Sequence, residues 1–270
     1  MCKEGVVVNI LVTLNSGYID PLCVMFKSMC VSNPQTKFDI YVAYSSLTDE
    51  DFRKIDNCIN DNMTVHPILV DESVFDSARV LDRISKETYY RLLVGTILPE
   101  EVDRILYLDP DIVVINPLDE FYNLDFKGKI VAGAPHTYGV VEMVNFRRLG
   151  MNRHRHEHYI NAGVLLIDVK AWRKKITTEE IIKFVDSNFK RLKLCDQDAI
   201  NILFRKDILY VDEKKYNLDE KTFAHHIWCL RMNHKWLVEN TVIVHFNGRK
   251  KPWGEGEYKG RLGCYFEKYR

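Results

Sequence analysis

The sequence predicts an α/β fold: one mostly parallel, Rossmann-like central sheet flanked by helices. Three observations predict it. Apolar β-branched runs alternate with segments of helical spacing from Val6 to Leu108. The first run, Val6 to Leu14 (VVVNILVTL), is apolar almost throughout, as suits a strand buried on both faces. No linker-like stretch interrupts the 270 residues, so a single domain spanning 1–270 is expected, with about 1–115 forming one half and about 116–270 the other.

Taken in order, Asp20-Pro21 supplies an N-cap and a first-turn proline for a helix carrying Leu22, Met25, Phe26 and Met29, which Asn33-Pro34 ends. Phe38 to Tyr44 reads as a strand. Thr48 caps a helix with Phe52, Ile55 and Ile59. Thr64 to Val70 is a third strand, Ser85 to Ile97 a helix, and Arg104 to Leu108 a fourth strand. Parallel strands need such crossovers. The second half is less regular. Ile130 to Ala134 and Ala162 to Asp168 read as strands. Thr177 and Glu180 form a capping box for a helix to about Lys193. Asp196 to Phe204 is a short amphipathic helix, and Val242 to Phe246 a late strand.

Lys plus Arg and Asp plus Glu are equal at 38 each, which provides no global field for nucleic acid. Seven cysteines, none in a CxxC pair, read as reduced thiols of a reducing compartment. No signal-peptide pattern or membrane-span run is seen, so a cytoplasmic protein without a transmembrane segment is expected.

In sheets of this type ligands bind beyond the carboxyl ends of the strands, and the first half is expected to bind a nucleotide. There is no GxGxxG after the first strand and no GxxxxGK[ST]. Instead Asp109-Pro110-Asp111 follows the fourth strand. Two carboxylates in that spacing can share one hard divalent cation, although a lone D-x-D is more often a solvated turn. His245 ends a late apolar strand and offers a third ligand, better suited to Mn²⁺ than to Mg²⁺. Gly248 and Lys251 then supply close backbone approach and positive charge for a diphosphate. Tyr159 to Asp168 (YINAGVLLID) and Asp196-Gln197-Asp198 complete the set.

Together these four motifs, in this order from Asn9 to Trp253, resemble glycosyltransferase family 8, which contains glycogenin and bacterial lipopolysaccharide glycosyltransferases. The resemblance implies a GT-A fold and retaining transfer of a hexose, glucose or galactose, from a UDP-sugar to a saccharide or lipid-linked saccharide. It implies Mn²⁺, with Mg²⁺ as the alternative, held by Asp109, Asp111 and His245. It puts Gly248 and Lys251 on the diphosphate, Arg91 near the donor sugar, and Asn161, Asp196 and Gln197 around the transferred sugar. Leu14, Asn15 and Tyr18 fall at the nucleotide end. Asn15 stands where the family usually has aspartate, which leaves base selectivity open.

The neutral amide of Gln197 is a poor nucleophile, so front-face attack is favoured over a covalent intermediate. A metal-dependent nucleotidyltransferase or phosphohydrolase would use the same carboxylates but leaves Asn161 and the Asp196 triplet unexplained. A non-catalytic UDP-sugar-binding relative is the other alternative. His154 to His158 (HRHEH) reads as a polar loop, with acceptor contact and zinc binding as the lesser alternatives, His225-His226 as structural, and Tyr258 to Arg270 as a solvated or packed end with weak peripheral membrane contact as the remaining option.

Overall fold

The computed structural model describes residues 7–75, 87–135, 140–151, 157–229 and 231–270. Seven strands make the main sheet: β1 (Val7–Thr13), β2 (Lys37–Tyr44), β3 (Met63–Leu69), β4 (Arg104–Leu108), β6 (Val131–Pro135), β7 (Ile160–Asp168) and β8 (Ile208–Tyr210). Two short strands, β5 (Ile112–Val114) and β9 (Ile243–His245), pair apart from it. The sheet order is β3-β2-β1-β4-β7-β6-β8, with only β7 antiparallel to its neighbours. The expected α/β architecture is therefore present.

Period-two alternation sends neighbouring residues of each central strand into two different cores. Leu11, Tyr107, Leu165 and Ile167 join one. Ile10, Val12, Leu106 and Leu166 join the other, against Phe26 and Met29 of the helix Ile19–Ser32. Central strands buried on both faces read as continuous apolar runs, which is why β1 and β4 were legible. Pro67 sits in β3, the edge strand, where a missing N–H costs least.

Several boundaries differ from the sequence reading. Asp20 lies in the first turn of its helix, and the N-cap position is Tyr18. The helix that Thr48 caps ends at Asp56, before Ile59. The Thr177 capping box is present, but its helix stops at Asn188. The single helix expected over Ser85 to Ile97 is instead Glu87–Tyr90, a 3-10 turn Arg91–Leu93 and Val94–Ile97; Ser85 and Lys86 lie outside the described residues. Against the expectation of reduced thiols, Cys23 and Cys58 are joined by a disulfide, their Cα atoms 5.3 Å apart. Their separation along the chain hid the pair, since only packing of the first helix against the second brings them together. The C-terminal segment is a packed end: Leu262, Phe266 and Tyr269 are buried in a third core beneath β5 and β9.

Candidate active site

Three strand ends converge. β1 delivers Thr13 and Leu14, and β4 delivers Asp109, both at carboxyl ends. Because β7 runs the other way, its amino end lies beside the carboxyl end of β4, with Val164 opposite Leu108 and the Asp109 N–H donating to the Gly163 carbonyl at 2.8 Å. That antiparallel step brings Asn161 next to the D-x-D turn. The small sheet completes the arrangement: Ile112 pairs with His245, which sets the imidazole against Asp111.

Asp109, Asp111 and His245 offer ligand atoms within 4.8 Å of one another, and among the described residues no other group of three does so. His245 Nε2 lies 3.0 Å from Asp111 Oδ1 and 3.7 Å from Asp109 Oδ2. Asp111 Oδ1 and His245 Nε2 are buried and have no hydrogen-bond partner beyond this contact with each other. Buried acceptors left in that state are costly, and a cation between them removes the cost. The donor set, two carboxylates and an imidazole, fits a divalent ion with oxygen and nitrogen preference.

Gly163 is part of this cluster in a way the sequence did not show. A Cβ there would overlap Asp109 Oδ2 and His245 Cε1. Only hydrogen at that position lets the β7 backbone press against both side chains.

The electrostatics follow from burial and near neighbours. Burial pushes the Asp111 carboxyl up, but His245 and Lys251 outweigh it and hold the group well below the usual carboxylate range. For His245 burial acts downward and Asp111 and Asp109 act upward, with a net rise. Lys251 Nζ bonds Asp111 Oδ2 at 2.6 Å and the Phe246 carbonyl at 2.7 Å.

Arg91 is a buried hub. Its guanidinium reaches Asp109 Oδ1 at 3.0 Å, Asp196 Oδ2 at 3.1 Å and the Ala162 carbonyl at 2.6 Å, and it lies over the Tyr107 ring. Tyr107 donates its hydroxyl to Asp109 Oδ1 at 2.7 Å. Arg91 opens the 3-10 turn Arg91–Leu93 that interrupts the helix. Burial pushes Asp196 up to about 6, with Arg91 opposing and Asp109 adding to the shift.

Asp196 and Gln197 open the helix Cys195–Leu203, just after Cys195, whose φ of 37° is left-handed. Gln197 Oε1 accepts from Asn161 Nδ2 at 3.2 Å and from the Ala162 N–H at 3.1 Å. Asp198 turns away. It is fully buried, accepts from Arg148 through both oxygens and takes the Tyr159 hydroxyl at 2.7 Å.

Leu14, Asn15, Tyr18, Arg91, Asp109 and Asp111 line one cleft of about 130 Å³. Thr13 and Thr88 share it and were missed, being ordinary strand-end and helix residues by sequence. Asn15 spends its side-chain oxygen on the Gly17 N–H at 3.1 Å, which leaves its amide N–H₂ for a ligand. Gly248 lines an adjoining cavity with His245, Phe246 and Asn247. Tyr18 meets Trp253 edge-on, so the C-terminal motif packs on the first turn. His226 is buried and paired with Glu213. In the HRHEH stretch, His154 and His156 lie outside the described residues, and Glu157 pairs with Arg205.

This architecture is that of a GT-A glycosyltransferase. It resembles the galactosyltransferase LgtC, solved in complex with donor and acceptor sugar analogs, at a TM-score of 0.81 and 22% identity, covering 97% of this chain and 95% of that one. It also resembles GlyE of Streptococcus pneumoniae TIGR4 at a TM-score of 0.69 and 21% identity, covering 97% of this chain and 59% of that one. Residues 9–257 match the profile of glycosyl transferase family 8, and the chain belongs to that family. Among its relatives, General stress protein A of Bacillus subtilis is 27% identical over 93% of this chain and 89% of its own length. A lipopolysaccharide 1,2-glucosyltransferase of Escherichia coli K12 is 26% identical over 91% of this chain and 72% of its own length.

Proposed function

We propose that the protein is a retaining hexosyltransferase that moves glucose or galactose from a UDP-sugar to a saccharide or lipid-linked saccharide. One observation carries the proposal: Asp109, Asp111 and His245 bring ligand atoms within 4.8 Å of one another, and both aspartates line the cleft of Leu14, Asn15 and Tyr18. Asp109, Asp111 and His245 would hold Mn²⁺, with Mg²⁺ as the alternative. When bound, the ion supplies charge neutralisation for the departing diphosphate.

The chain's own groups do the rest. Tyr18 and the Asn15 amide N–H₂ bind the base, the latter matching a carbonyl oxygen. Lys251 moves from Asp111 to the diphosphate, and Gly248 allows its backbone to approach. Arg91 holds Asp109 and Asp196 in fixed relation. Asp196 accepts a sugar hydroxyl, and Asn161 and Gln197 hold the sugar's polar edge. The Gln197 carbonyl is already engaged by two N–H groups. It is therefore no nucleophile, and attack comes from the face the diphosphate leaves, with a phosphate oxygen taking the acceptor's proton.

We place the enzyme in the cytoplasm, with a lipid-linked acceptor met at the inner membrane face. The relatives named as lipopolysaccharide glucosyltransferases support this. Among the described residues no helix is long and apolar enough to cross a membrane.

The test is donor turnover with UDP-glucose and UDP-galactose, with Mn²⁺ or chelator, reading UDP release and the first-formed anomer by proton NMR. Metal-dependent release of an α-hexose is expected. A β product overturns retention, and UDP binding without release makes the chain a non-catalytic relative.

A further inference from the structure

The polar side chains of the metal end and the sugar end are joined by one residue that no motif contains. Asn217 is buried, follows the helix Glu213–Tyr216, and is held in place by backbone pairing. Leu218 bridges Val244, the Leu218 N–H donates to Ile243, and the His245 N–H donates to Leu218. The segment thus runs along β9 and sets the Asn217 amide beside the His245 ring. Asn217 Oδ1 lies 2.8 Å from His245 Nδ1, and Asn217 Nδ2 lies 2.9 Å from Asn161 Oδ1. Asn161 in turn meets Gln197.

The direction of every hydrogen bond in this chain is fixed by two backbone amides. The Gly163 N–H donates to Asn161 Oδ1 at 2.9 Å, and a backbone N–H can only donate. Asn161 Oδ1 is therefore an acceptor, so Asn217 must offer its N–H₂ there and turn its oxygen to the ring. His245 Nδ1 must then carry a hydrogen, so in the neutral, metal-binding ring the lone pair lies on Nε2, facing Asp109 and Asp111. At the other end the Ala162 N–H donates to Gln197 Oε1, so Asn161 offers N–H₂ to that oxygen.

We propose that Asn217 is a positioning residue: it holds His245 in the tautomer whose Nε2 receives the metal and, through Asn161, ties that ligand to the orientation of Gln197. Groups that fix a ligating imidazole from behind commonly matter for metal affinity almost as much as the ligands. The inference rests on the metal reading above. It adds that the two ends of the site are mechanically one, through an amide that touches neither substrate nor metal.

The test measures Mn²⁺ affinity on the full chain without donor, from the electron paramagnetic resonance signal of free Mn²⁺, alongside donor turnover. Asn217→Ala removes both arms, and its Mn²⁺ dissociation constant should rise by about 10- to 100-fold. Asn217→Asp keeps an acceptor for Nδ1–H but loses the donor to Asn161. It should bind Mn²⁺ at least as tightly as wild type while turnover falls by about tenfold. A purely structural role would lower the melting temperature and leave the affinity of the folded protein unchanged. Wild-type affinity in folded Asn217→Ala overturns the inference. Where that variant does not fold, Asn217→Asp decides alone, and undiminished turnover overturns it. Wild type that binds no Mn²⁺ overturns the metal reading and this inference with it.

Discussion

The metal end and the sugar end of the site sit side by side yet are held in opposite ways. At the sugar end the protein satisfies itself. Gln197 Oε1, Asn161 Oδ1 and the Arg91 guanidinium all have partners within the chain. At the metal end Asp111 Oδ1 and His245 Nε2 are buried and meet only each other, 3.0 Å apart. The difference teaches that one end is preorganised by the fold and the other is completed by a ligand. A preorganised polar site costs no rearrangement during reaction. A buried carboxylate and imidazole facing each other instead favour a divalent cation between them.

Asp109 belongs to both ends, bonded to Arg91 through one oxygen and facing His245 with the other. Asp109→Asn is expected to give the largest effect, a loss of turnover of about 10³-fold. Steady-state donor hydrolysis at saturating Mn²⁺ checks it, and a loss under tenfold would mean the two ends do not share this group. Next in size is Gly163→Ala, which puts a methyl group against both Asp109 and His245. We expect about 2 kcal/mol of destabilisation by urea titration and Mn²⁺ binding weakened by about tenfold. Unchanged metal binding would show that β7 can retreat.

Gln197→Ala removes the far end of the Asn217–Asn161 connection and leaves Asn161 held by Asn217 and the Gly163 N–H. It should lower kcat by about tenfold while leaving Mn²⁺ affinity at the wild-type value. A nucleophilic role for Gln197 requires turnover to vanish, so a retained tenth rules it out. The smallest effect concerns pH. Burial raises Asp196 to about 6. The folded state therefore holds that proton more tightly than the unfolded chain, and this residue's contribution to stability falls as pH rises from about 4 to about 6. Asp196→Asn should remove a slope of at most about 1.4 kcal/mol per pH unit. Parallel wild-type and variant stability curves across that window would contradict the assignment.

Much of this was legible from local pattern. Asp109, Asp111 and His245 stand at the ends of apolar strands, where charge is conspicuous. The central strands are buried on both faces and read as unbroken apolar runs. What escaped depends on contacts between distant segments. The β5–β9 pairing that aligns Asp111 with His245 involves three residues on each side, too few for a period. The helix break around residues 91–93 coincides with Arg91 reaching two carboxylates on distant segments, which local propensity does not show. Gly163 reads as a small strand residue until the side chains across from it are known. Asn217 looks like a turn residue before the capped helix Glu220–Trp228. The Cys23–Cys58 bridge needs the first two helices packed before it can be seen.

The most direct test of the account is the calorimetry of UDP binding, with Mn²⁺ and with chelator, in wild type and in Asp111→Asn. The account predicts binding that needs the metal and that falls by about 10²-fold or more in the variant. Binding of equal strength in all four conditions would mean that Asp111 and His245 hold no cation for a diphosphate.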